Sequence, residues 1–138
     1  MYEITRRVKY YETDNMGVVH HSNYIRWFEE VRVECLRDKG LDYRAMEEEG
    51  IMIPVVSVEC RYKTPAAFDD EVAVCASFKR YNGIVMEIEY VVKDLPTGII
   101  RVTGKSSHCF VDSKTFKPLS LAKVRPDMNE RFAALVEK

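Results

Sequence analysis

From about Ser22 to Lys39 the chain carries Tyr24, Trp27, Phe28, Val31, Cys35 and Leu36 at spacings of three and four. Arg26, Glu30, Arg37 and Asp38 decorate the other sides, so the segment reads as one amphipathic helix of about five turns. Ser22 or Asn23 is placed to cap its first turn and Gly40 to end it. No other segment carries a stripe of that length, and past Pro54 the apolar period becomes that of a strand. Any fold for this chain must therefore bury one long helix against strands.

The strands follow from alternation and punctuation. Val56, Val58, Cys60 and Tyr62 alternate with polar residues until Thr64-Pro65, and Val72, Val74, Ala76 and Phe78 repeat the pattern. Asn82-Gly83 then matches a type I′ hairpin, with Met86, Ile88, Tyr90 and Val92 on the return strand. Pro96-Thr97-Gly98 makes the next turn, and a long run from Ile99 to Val111 closes the sheet, with Gly104 marking a bulge or a close backbone approach. Tyr2 to Tyr10 reads as a strand ahead of the long helix, and Asp42 to Glu49 as a short helix. A terminal helix opens at Pro126-Asp127, with Phe132, Leu135 and Val136 on one face. The economical solution is α+β: a long central helix packed on a curved antiparallel sheet of five strands or more. The 138 residues form a single domain spanning 1–138 and bury roughly two-thirds of their unfolded-chain surface. Open sheet edges make edge-to-edge homodimerisation the expectation.

Composition excludes several classes. A net charge of -1, with 46 % hydrophobic and 31 % charged residues, provides neither the basic field of a nucleic-acid binder nor the composition of a disordered chain. No run approaches the roughly 20 apolar residues of a membrane span, and Met1 to Lys9 lacks an apolar signal core, so no stable membrane insertion and a cytoplasmic location are expected. Cys35, Cys60, Cys75 and Cys109 stand singly among apolar neighbours and read as reduced core residues.

Between the first strand and the helix lies Tyr11-Glu12-Thr13-Asp14-Asn15-Met16-Gly17-Val18-Val19-His20-His21-Ser22-Asn23-Tyr24. It sets a carboxylate, a glycine turn and two histidines before a helix N-terminus, where free N–H groups and the macrodipole favour negative charge. Asp14 by itself could simply cap the turn at Asn15 to Gly17. In context it can serve as nucleophile or general base, with Gly17 allowing the tight turn and His21, at the helix start, orienting a carbonyl or a water. His20 and Tyr24 are further candidates for substrate contact, Tyr24 also being core at helical spacing. Glu29 reads as an ion-pairing residue. Asp14, His20, His21 and His108 could in principle hold a metal, but no HxxxH or CxxC spacing occurs and adjacent histidines on an extended segment point apart, so neither a metal nor a cofactor is expected. Lys63, Lys79, Arg80 and Lys105 are available to phosphates, without a phosphate-cradling motif. Phe28, Met52, Met86 and Phe110 could shape an apolar pocket.

Thr13-Asp14, Gly17-Val18-Val19, Asn23-Tyr24, Trp27-Phe28-Glu29, Tyr62-Lys63-Thr64-Pro65-Ala66 and Phe68-Asp69-Asp70 together resemble the hotdog-fold acyl-CoA thioesterases of the 4-hydroxybenzoyl-CoA thioesterase type, from Tyr2 to about Pro118. The resemblance implies a helix wrapped by the sheet, a homodimer or homotetramer with active sites at subunit interfaces, and an acyl-CoA or acyl-carrier-protein substrate. It matches the catalytic carboxylate to Asp14 and the carbonyl-polarising backbone N–H to the helix start near His21. The implied activity is hydrolysis of short-chain or aromatic acyl thioesters to free acid and CoA. A hydratase on the same fold would carry D-x-N-P-x-H, whereas here Asp14 is followed by Asn15-Met16-Gly17, with His20 six residues on. A non-catalytic acyl-CoA or acyl-carrier-protein binding module is the remaining alternative, and it would have no need of Asp14.

Overall fold

The apolar stripe of the long helix becomes the centre of the molecule. In the computed structural model, which describes residues 1–137, Trp27, Phe28, Val31 and Leu36 are fully buried. The elements run β1 (Tyr2–Arg7), α1 (Ser22–Asp38), α2 (Tyr43–Glu48), β2 (Ile51–Met52), β3 (Val55–Tyr62), β4 (Glu71–Tyr81) and β5 (Val85–Asp94). They continue with β6 (Ile100–Cys109), β7 (Val111–Asp112), α3 (Leu121–Val124) and α4 (Pro126–Leu135). Five strands form one antiparallel sheet in the order β1-β4-β5-β6-β3. A long helix packed against such a sheet is the α+β hotdog arrangement expected.

Strand alternation sorts the two faces. Val74, Ala76, Ile88, Tyr90 and Val102 point to α1 and are buried, while Glu3, Glu89, Lys93 and Lys105 lie on the other face. There Lys105 pairs with Glu89 and Lys93 with Glu3, each at 3.9 Å, exposed contacts that contribute little stability. Gly104 in β6 serves close approach: Phe28 lies directly over it, and a methyl group there would overlap the ring. Phe28 continues onto Tyr90, stacked at 4.3 Å between centroids. At the other margin β3 is an edge strand, with Val55 49 %, Val58 40 % and Tyr62 51 % exposed.

Several local expectations change. β1 stops at Arg7, and Tyr10–Glu12 form a single 3-10 turn. At the β4–β5 turn only Gly83 has positive φ, at 92°, so a type I′ turn is not formed. Instead Asn82 Oδ1 accepts from the N–H groups of Ile84 and Val85, at 3.0 and 2.7 Å. The run from Ile99 to Val111 is broken at Phe110, which turns fully into the core, so that β7 pairs with β2 in a separate two-stranded sheet. Val136 lies past the end of α4 and bridges to Phe78. All four cysteines are free; Cys35 and Cys75 are buried, whereas Cys60 and Cys109 are only half-buried.

Candidate active site

The loop carrying Asp14 is built from backbone pairing. The Asp14 N–H donates to the Val18 carbonyl at 2.9 Å, the Gly17 N–H returns to the Asp14 carbonyl at 3.0 Å, and Thr13 bridges Val19. Gly17 turns with φ at 80°, a region that a side chain disfavours. The Val19 N–H bonds the Ala66 carbonyl at 2.8 Å, tying the loop to the segment after β3. Asp14 Oδ1 accepts from the Met16 N–H at 2.8 Å, so the turn-capping reading of Asp14 holds for one oxygen. Its other oxygen has no protein partner among the described residues.

Neither Ser22 nor Asn23 caps α1. The Ser22 hydroxyl is engaged by His20 Nδ1 at 2.8 Å, and the Asn23 amide donates to the Glu12 carbonyl at 2.8 Å. His21 stands at the cap position with helical φ and ψ of -55° and -28° and no side-chain cap. One consequence matters for chemistry: the His21 N–H has no acceptor among the described residues, at the positive end of α1. The same helical geometry corrects the expectation that the two histidines point apart. Their rings stack, with centroids 4.1 Å apart.

A cleft of about 210 Å³ opens where these elements meet, lined by Asp14, Met16, Val18, Val19, His21 and Tyr24 on one side and by Tyr62 to Pro65 on the other. Tyr24 is buried, and its hydroxyl accepts from the Ala66 N–H at 3.2 Å. Tyr62 donates to the His21 carbonyl at 3.3 Å. Burial pushes the pKa of Tyr24 up, and burial together with Cys60 pushes that of Tyr62 up to about 12, so both remain neutral phenols. Gly17 shapes the loop and His20 stacks on His21, both outside the lining. Of the cations, Lys63 reaches the cleft, whereas Arg80 pairs with Glu87 and Lys105 with Glu89 elsewhere. Glu29 is exposed and makes no ion pair among the described residues; its neighbour Glu30 reaches Arg6 at 3.5 Å. Phe28, Met86 and Phe110 are core. His108 is also buried, away from the loop, and no three His, Cys, Asp or Glu side chains gather as a metal site among the described residues.

Sequence reasoning missed the clamp that holds this loop. Glu12 is 4 % exposed and accepts from Arg6 Nη1 at 2.8 and 2.9 Å, from the Lys9 N–H at 2.8 Å and from Trp27 Nε1 at 2.8 Å. Burial alone would raise its pKa, but the hydrogen bonds from Arg6, Lys9 and Trp27 outweigh it and hold the carboxyl below its usual range. Its carbonyl takes the Asn23 amide and the His20 N–H, both at 2.8 Å. Strand, loop and helix start are thereby tied together two residues before Asp14. Opposite charges at Arg6 and Glu12 were the visible signal.

Comparison with known proteins places this geometry. The model of the thioesterase-like superfamily matches residues 8–132. YneP of Bacillus subtilis, provisionally named an acyl-CoA thioesterase, is 35 % identical over 91 % of this chain and 90 % of its own. The acyl-CoA thioester hydrolase YbgC of Escherichia coli O157:H7 is 26 % identical over 85 % of this chain and 87 % of its own. Among solved structures, the DHNA-CoA thioesterase of Staphylococcus aureus superposes with a TM-score of 0.91 at 29 % identity, covering 96 % of this chain and 89 % of the other. The chain belongs to the thioesterase-like superfamily and is a thioester hydrolase of the hotdog fold.

Proposed function

We propose that this protein hydrolyses short-chain or aromatic acyl-CoA thioesters to the free acid and CoA in the cleft between the Asp14 loop and Tyr62. The observation that carries the proposal is the meeting of two unsatisfied groups on one cleft. One is the Asp14 carboxylate, with an oxygen free of protein partners; the other is the unpaired His21 N–H at the start of α1. Asp14 attacks the thioester carbonyl directly or removes a proton from the attacking water. Negative charge develops on the carbonyl oxygen, where the His21 N–H and the helix dipole stabilise it by about 3 kcal/mol. The carbon–sulfur bond then breaks and CoA departs as a thiolate, which needs no strong acid. In the direct route water cleaves the resulting mixed anhydride and regenerates Asp14.

His21 acts here through its backbone, while Tyr24 forms a wall and holds the Ala66 amide. The names of the relatives, among them a DHNA-CoA thioesterase, support an aromatic acyl group, and the 4-hydroxybenzoyl-CoA thioesterase type fits the motif order. β3 offers an unpaired edge, and a homodimer formed along it would extend the sheet across both subunits. A cytoplasmic location accords with a CoA substrate, and no helix among the described residues is long and apolar enough to cross a membrane.

Free-thiol release from acetyl-, octanoyl-, palmitoyl-, benzoyl- and phenylacetyl-CoA tests this reading. Asp14→Asn is expected to lower turnover by about a thousandfold or more while leaving acyl-CoA binding within a few-fold. Equal turnover by the two proteins would sink the assignment.

A further inference from the structure

On the edge strand β3, Val55, Val58 and Tyr62 face the helix side of the sheet yet stay exposed, which leaves an open groove between α1 and β3 beyond the cleft. Paired residues of antiparallel strands share a face, so Tyr62, Cys60, Val58 and Val55 line it beside Val102, Gly104, Ser106 and His108. On the helix side come Tyr24, 5.7 Å from Tyr62, then Phe28 over Gly104, then Arg32. Eight residues of helix from Tyr24 to Arg32 span about 12 Å. Four residues of strand from Tyr62 to Val58 span about 13 Å. Arg32 thus stands about one medium-length acyl chain beyond the cleft.

Arg32 is 7 % exposed and has no carboxylate within ion-pairing distance among the described residues. Its partners are phenols at long range: Tyr43 at 3.3 Å and Tyr90 at 3.4 Å. Charge-assisted bonds normally close to about 2.7–2.9 Å. From Tyr90 the chain runs to Ser106 at 2.6 Å and from Ser106 to His108 Nε2 at 2.7 Å. Arg32 can only donate, so the directional assignment that satisfies both hydroxyls passes protons from Tyr90 to Ser106 and from Ser106 to Nε2. That leaves Nδ1 of the fully buried His108 protonated, and it has no partner among the described residues. Burial, and secondarily Arg32, pushes His108 down to about 4, and burial pushes the Tyr90 phenol up. No member of this network is an anion at neutral pH. A buried guanidinium left in that condition is costly unless an anion joins it.

We propose that the far end of the groove is a carboxylate subsite, in which Arg32 binds the distal carboxylate of an ω-carboxylated acyl chain whose thioester lies at Asp14. The proposal rests on the thioesterase reading and extends its substrates beyond short-chain and aromatic groups to medium-length ω-carboxylated chains. The planar guanidinium matches a carboxylate in two-point geometry, and binding would turn a desolvated charge into an ion pair. The apolar stretch between, with Phe28 beneath it, suits a methylene chain.

Two measurements separate the subsite from the catalytic reading. The first is calorimetric binding of matched pairs, sebacoyl- against decanoyl-CoA and adipoyl- against hexanoyl-CoA, to Asp14→Asn, where turnover does not intervene. Sebacoyl-CoA is expected to bind about tenfold or more tightly than decanoyl-CoA. The short pair should differ little, because adipoyl cannot reach Arg32. Adding Arg32→Met should bring the long pair to near unity, and Arg32→Lys, which keeps the charge without the fork, should retain part of the preference. The second measurement is turnover of the same pairs by the wild type, which tests hydrolysis irrespective of the preference. Equal binding of the long pair, or a preference that survives Arg32→Met, would overturn the subsite.

Discussion

Arg6 on β1 and Arg32 on α1 both turn guanidinium groups into the interior beside the long helix, yet their surroundings differ in kind. Arg6 meets Glu12 through two short hydrogen bonds, reaches Glu30 at 3.5 Å and lies 4.6 Å over the Trp27 ring. Arg32 meets two phenols and, through them, a neutral histidine. The first charge is balanced within the chain and fixes the loop that carries Asp14. The second has no anion beside it among the described residues, so packing does not account for its presence. A buried charge that the fold has balanced holds structure, whereas one it leaves unbalanced is available to a ligand.

The largest way to test this contrast is Glu12→Ala, which takes from Arg6 its two short hydrogen bonds and leaves it only the longer contact to Glu30. Removing one partner of a buried pair typically costs 3–5 kcal/mol, and about 4 kcal/mol is expected here, measured by urea unfolding at neutral pH. The loop should loosen as well, so turnover should fall although Asp14 is intact. A loss below about 1 kcal/mol would mean that Arg6 is as poorly balanced as Arg32.

The next effect depends on pH. His108 has its folded value at about 4, below the ordinary value of about 6.5, because burial and then Arg32 disfavour its charged form. Between those values the unfolded chain binds a proton that the folded chain does not. The associated stability is therefore complete above pH ~6.5 and is lost as pH falls toward about 4, by about 3 kcal/mol in total. His108→Gln should flatten the stability profile across that window, and Arg32→Met should reduce its depth by removing one of the two causes. Unfolding curves at several pH values would show this, and an unchanged slope in His108→Gln would exclude His108 as its source.

Much of this arrangement was legible in the chain. Periodicity located α1 and the five strands because burying one helix stripe and one sheet face imposes those spacings directly. The Asp14 loop was legible as a motif. The free His21 N–H was not, since it depends on Ser22 and Asn23 being drawn to His20 and Glu12, contacts set by a turn that no spacing rule describes. The break at Phe110 was hidden because a long apolar run reads as one strand even where a residue leaves the ladder to enter the core. Arg32 did leave a trace, a charged residue four positions after Phe28 and one after Val31, inside the apolar stripe. Read as helix decoration such a charge is unremarkable; read as part of the stripe, it is the residue that does not fit.

The smallest expected effect is also the one that separates the two arginines by sign. Arg32→Met replaces a desolvated charge with a flexible apolar side chain of similar length, in a position flanked by Phe28, Leu36 and Tyr90. Tyr90 keeps its bond to Ser106, and Tyr43, which loses its bond from Arg32, is only half-buried, so no fully buried hydroxyl of the network is stranded. Buried charged groups replaced by packed apolar ones are often neutral or stabilising, and a gain of about 1 kcal/mol is expected, a rise of about 3 °C in Tm. The corresponding change at Arg6 should lower stability, because it would leave Glu12 charged and buried without its main partner. If Arg32→Met instead destabilises by 2 kcal/mol or more, the guanidinium is a structural strut and the contrast collapses. If it stabilises while the preference for a distal carboxylate disappears, stability has been given up at Arg32 in exchange for recognition.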